Sequence, residues 1–173
     1  MKTFTPILLI SVATLASGLV TLPAHADDAS CKPVTDAAVR MARTPYHEVA
    51  TVDGKPFEKI YTTTTLSMRS NNGKWMTMPM TPQEILDAMR ESGASYSGCK
   101  VLRTEIVGGQ RATVYAAHRL SPGTSVPNQD DQIWIDAKGL TLKTVSDTQV
   151  KGRKLHAESH ISYGNVQAPT PGH

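Results

Sequence analysis

Three methionines at alternate positions, Met76, Met78 and Met80, directly follow Trp75. On an extended strand, side chains two apart point the same way, so the three thioethers would share one side. Soft sulfur ligands suit Cu(I). The same flexible side chains also suit the lining of an apolar mouth that must accept variable chains, and Pro79 interrupts the alternation. A second set, His156-x-Glu158-x-His160, would offer a divalent metal two imidazoles and a carboxylate. On a strand, however, Cα atoms four apart stand about 13 Å from one another. That is too far for both histidines to chelate without a turn, and the three residues read equally as the wet face of a last strand. No cofactor is required by either set.

Other polar residues that could do chemistry are scattered: His47 and Glu48, His118, and the pair Asp130-Asp131. Hydrolysis needs a nucleophile beside a base held by a third group. No Gly-x-Ser-x-Gly, His-Glu-x-x-His or phosphate-binding glycine loop occurs. The expectation is a protein that binds rather than catalyses.

The start of the chain points to the compartment. Lys2, the apolar run from Ile7 to Leu22 and the small-x-small triplet Ala24-His25-Ala26 have the pattern of a cleaved signal peptide over residues 1–26. Gly18 and Pro23 interrupt the run, and no second apolar stretch of the roughly 20 residues needed to span a bilayer follows. A soluble periplasmic product is expected. Losing Lys2 lowers the net charge from +3 by one, which gives no electrostatic case for nucleic acid as a partner. Export puts the two cysteines, Cys31 and Cys99, in an oxidising setting where an even pair reads as a disulfide. Asp28-Ala29-Ser30 lacks the apolar-small-small stretch of lipoprotein processing, which argues against a lipid anchor on Cys31.

These residues need a frame. Pro33, Val34, Ala37, Ala38 and Met41 predict a short N-terminal helix that Thr44-Pro45 stops. From Tyr46 the period changes to two, and five turns punctuate the chain: Asp53-Gly54, Asn72-Gly73, Gly108-Gly109, Lys138-Gly139 and Lys151-Gly152. Strands are expected over 46–52, 57–69, 74–77, 99–107, 110–120, 131–136, 140–149 and 154–163. In 57–69, Ile60, Thr62, Thr64, Leu66 and Met68 would share one face. One helix interrupts the meander. Thr81 is its N-cap, Pro82 its first residue and Glu84 the partner of a capping box, with Ile85, Leu86 and Met89 as its stripe and Gly93 as its stop. Ser121–Gln129 reads as a long loop and 166–173 as a disordered tail, leaving one domain over 27–165.

Gly73-Lys74-Trp75 ahead of a short helix, then Gln132-Ile133-Trp134-Ile135-Asp136 turning at Gly139 into Leu140-Thr141-Leu142-Lys143, resembles the periplasmic lipoprotein-carrier superfamily, the LolA/LolB-like proteins. That resemblance implies an α+β fold. A single curved antiparallel sheet of about eight strands, a half-barrel, would carry the N-terminal and inserted helices on its concave face. It also implies an apolar cavity for a lipid or acyl chain, with an envelope protein as a possible partner. Trp75, Met76, Met78, Met80, Ile85, Leu86, Met89 and Trp134 are the residues expected at the cavity or its helical cover. Two other functions compete: a copper or other metal-binding protein using Met76, Met78 and Met80, and a small envelope scaffold with a filled core.

Overall fold

The computed structural model describes residues 29–122 and 128–169. The signal-peptide segment, part of the expected 121–129 loop and the last four residues of the expected tail lie outside them. A 3-10 turn at Ala29–Cys31 leads into α1 (Lys32–Met41), then β1 (Tyr46–Val52), β2 (Lys55–Tyr61), β3 (Thr65–Ser70) and β4 (Met76–Pro79). The second helix, α2 (Pro82–Glu91), precedes β5 (Ser95–Val107), β6 (Gln110–Leu120), β7 (Gln129–Asp136), β8 (Thr141–Val150) and β9 (Arg153–Tyr163). The nine strands form one antiparallel sheet in the order β4-β3-β2-β1-β9-β8-β7-β6-β5. Two meanders are thus joined where the first strand meets the last.

All five Gly-containing turns join sheet neighbours. At Asp53-Gly54, Gly108-Gly109 and Lys151-Gly152 both central residues have positive φ, the backbone of a two-residue hairpin turn that matches strand twist. The expected strand 57–69 is instead two strands. Thr63 takes φ 74, and the chain reverses through Thr62 N–H bonding the Thr65 carbonyl at 3.1 Å. The cause is a run of threonines whose hydroxyls bond locally, Thr62 to Thr65 at 2.8 Å, and so compete with the ladder. Ile60 and Leu66 therefore belong to separate strands, and the sheet has nine strands rather than eight.

The sheet must curve. Flat, its eight interstrand spacings would part β4 from β5 by about 38 Å, while the chain joining these two edges is mostly α2, about 15 Å long. Bulges in β5, between Ser97 and Lys100 and between Val101 and Arg103, assist the bend. The result is an open half-barrel.

On the inner face, α1 buries Val34 and Ala37 against Ala117, Ile133 and Ile135. The Cys31–Cys99 disulfide fastens the start of α1 to β5, and the Tyr61 hydroxyl donates to the Ala42 carbonyl at its end, 3.1 Å. Beneath α1, Asp131 is buried and accepts from Ser146 Oγ at 2.6 Å. Burial raises its carboxyl pKa against the pull of Arg119.

α2 begins as its residues predict. Thr81 Oγ1 accepts from Glu84 N–H, and Glu84 Oε2 accepts from Thr81 N–H at 2.7 Å. Replacing Thr81 with alanine is expected to cost about 1 kcal/mol, measured as a shift in urea midpoint. None of the residues of α2 is buried, so its cap weighs heavily.

Candidate functional site

Both helices lie over the inner face, and they run in opposite directions. Ala42 after α1 accepts from Tyr61, and Ile85 near the start of α2 packs against the cluster of Tyr46, Tyr61 and Ile161. At the other end, Cys31 before α1 is bonded to β5, and Gly93 after α2 abuts Pro122 at the end of β6. Between the helices and the adjoining ends of β5 and β6 lies a cleft of about 960 Å³, at the upper end of the usual range for ligand pockets. Thr35 and Val39, four residues apart on α1, line it together with Arg43 in the turn just past the end of that helix. From the facing helix come Gln83, Leu86, Met89 and Arg90, and Leu120 and Pro122 close the apolar middle. The wall is therefore apolar along its centre and polar at its ends, and among the described residues no carboxylate lines it.

Of the residues expected at a cavity, Leu86 and Met89 line this cleft. Ile85 and Met80 instead pack beside it against Tyr46, Tyr61 and Ile161. Met78 stands opposite Leu66 across the β3–β4 ladder, and Met76 is 59% exposed.

The two tryptophans are elsewhere. Ile133 and Ile135 face α1, so alternation turns Trp134 to the outer face, where it packs on Ala112, Val114 and Leu142. Its indole N–H donates to Glu105 at 2.6 Å, while Arg103 and Lys143 stand 5.7 and 5.1 Å from the ring centre. Hydrogen bonds from Trp134 and Arg103 hold the Glu105 carboxyl below the usual range. Trp75 sits beneath the Arg69 guanidinium at 4.6 Å.

The outer face also accounts for the histidines. Lys143 reaches Glu158 at 2.6 Å, and His160 joins the same carboxylate at 3.1 Å. His156 pairs separately with Asp147 at 2.8 Å. Glu158 is thereby held by a lysine, and its pKa is lowered first by that bond and then by His160. A matching relay crosses the other meander: Arg69 Nε to Glu58 at 2.6 Å and His47 to Glu58 at 2.7 Å. Among the described residues no group of three or more His, Cys, Asp or Glu is arranged to hold a metal.

Val39, Arg43, Arg90 and Leu120 were not foreseen. The signal for Val39 is a second stripe of α1, 35/39, beside the buried one; Arg43 follows in the turn after the helix.

No protein-family model matches the sequence, and comparison with curated proteins finds no match. Among solved structures, the chain is similar to one from the Pseudomonas aeruginosa MucA/MucB complex. The TM-score is 0.49 and the identity 13%, over 80% of this chain and 58% of that one. The chain thus spans a little over half the length of that neighbour. Similarity to the Mycobacterium tuberculosis lipoprotein LppX has TM-score 0.46 at 10% identity, covering 82% of this chain and 100% of that one. A Vibrio parahaemolyticus outer membrane lipoprotein-sorting domain gives 0.21 at 9%, over 77% and 91%. An open curved sheet with both helices on one face is the layout that the resemblance to the LolA/LolB-like carriers implied. No helix among the described residues is long and apolar enough to cross a membrane.

Proposed function

We propose that this chain is a non-enzymatic binding or carrier protein of the periplasm, which holds a lipid or acyl chain in the cleft between α1 and α2. The observation that carries this reading is the cleft itself: about 960 Å³, with Val39, Leu86, Met89 and Leu120 along its centre. A groove of that size with an apolar middle suits a flexible hydrocarbon chain. Because α2 buries none of its residues, Leu86 and Met89 are apolar groups with no core to fill. The export pattern at residues 1–26 and the Cys31–Cys99 bond both suit an oxidising envelope compartment.

The test is binding of the neutral fluorophore N-phenyl-1-naphthylamine to protein purified without detergent, with dodecanol as competitor. Saturable binding displaced by dodecanol is expected. Aspartate at Leu86 and Met89 together should weaken it at least about tenfold, since contact with one apolar side chain is worth roughly 1.5–3 kcal/mol. Absence of binding, or equal binding by the double variant, overturns the reading.

A further inference from the structure

Resting on that reading of the cleft, we propose that its ligand is a single-chain amphiphile with an anionic carboxylate or phosphate head, and that Arg43 receives the head.

Most of this protein's arginines are spoken for. Among the described residues, Arg69, Arg90, Arg103, Arg119 and Arg153 each have a carboxylate within 4 Å. Arg40, Arg43 and Arg111 have none, and the first two sit together at the end of α1. Arg43 lines the large cleft and also a neighbouring recess of about 500 Å³ with Asp36, Arg40 and Thr44. The one carboxylate there, Asp36, is held by Lys32 at 2.6 Å. At the opposite end of the cleft Arg90 is paired with Asp87 on its own helix, which neutralises that end. The cleft is therefore polarised: one free guanidinium end, an apolar middle and one compensated end.

A guanidinium offers a planar fork of donors that matches a carboxylate or phosphate in two parallel hydrogen bonds. An anionic head at Arg43 lets its chain run along Val39, Leu86 and Met89. A neutral head would gain no charge-assisted bond from the exposed guanidinium, and a cationic head would meet Arg40 and Arg43 with no carboxylate among the described residues of the cleft wall to offset them.

The experiment displaces N-phenyl-1-naphthylamine with dodecyl phosphate, dodecanoate, dodecanol and dodecyltrimethylammonium, each below its micelle concentration. The two anions should bind about tenfold or more tighter than dodecanol, as charge-assisted hydrogen bonds allow, with the margin shrinking as salt is raised. In R43E that preference should collapse to less than about threefold, with dodecyltrimethylammonium gaining. In R111Q, a change at the far end of β6, it should persist. Acetate and inorganic phosphate, heads without chains, should displace neither anion at equal concentration.

Equal affinity for dodecanol and the anions, an unchanged preference in R43E, or displacement by inorganic phosphate would each overturn the proposal while leaving the apolar cleft intact. Failure of every ligand and of the fluorophore overturns the cleft reading itself.

Discussion

Replacing Cys31 and Cys99 together with serine is expected to lower folding stability by about 4 kcal/mol, the chain-entropy cost of opening a loop of about 70 residues. In a domain of this size that corresponds to a fall in Tm of roughly 10–15 °C. The same loss should appear when the wild-type protein is melted in reductant, and the serine variant should then show no further change. The effect is expected to be large because the bond joins elements that otherwise hold one another weakly. It ties the entry of α1 to β5, an edge strand with only one sheet neighbour. Cys31 and Cys99 are themselves buried with Val34, Ala37 and Ile133, so the serines also carry hydroxyls into an apolar cluster. A Tm shift below about 3 °C, or one that reductant does not reproduce, would show that the bond is not what holds this end.

Trp134→Ala is expected to cost about 3–5 kcal/mol, the range for removing a large buried aromatic, read from the denaturant midpoint at constant m-value. Trp134 is 4% exposed, and its loss strips Val114 and Leu142 of packing and Glu105 of a donor. Acid should narrow the gap. Glu105 has a lowered pKa in the folded state because Trp134 and then Arg103 hydrogen-bond its charged form. Such a group adds stability above the ordinary carboxylate range and loses it as pH falls through the lowered folded pKa. The variant lacks the Trp134 share of that contribution and keeps the Arg103 share, so its deficit should be smaller at pH 3 than at pH 7. Affinity for N-phenyl-1-naphthylamine should persist wherever the variant is folded, because Trp134 lies on the face away from the cleft. Loss of affinity without loss of stability would place the indole in the binding machinery after all.

That contrast marks how far the sequence could be read. Hairpins were legible because Asp53-Gly54 and Lys151-Gly152 answer a local backbone demand, and the start of α2 because Thr81 and Glu84 satisfy each other within one turn. The disulfide was legible from the even cysteine count read together with the export pattern. Alternation separates Trp134 from Ile133 and Ile135, but all three are apolar, so the pattern alone does not say which side the helices cover. The break at Thr62–Thr65 was hidden because threonine has both a high strand preference and a hydroxyl that can close a turn. The cleft was least legible. It arises where α1 and α2, far apart in sequence, are brought alongside by a disulfide at one end and a curled sheet at the other. Val39 and Arg43 acquire meaning only from that juxtaposition.

α2 joins the two free edges of the sheet yet buries none of its residues. Its local unfolding free energy is therefore expected to rest on its cap, its own backbone bonds and the packing of Ile85, below that of β6 and β7 with their shared core. Hydrogen exchange is expected to read two opening free energies, a low one for the strap and a high one for the sheet. Transient states in which the strap is released leave the ladder of nine strands whole. For the proposed ligand, entry and exit would then proceed at the rate of a helix–coil transition, with the sheet's fold kept throughout.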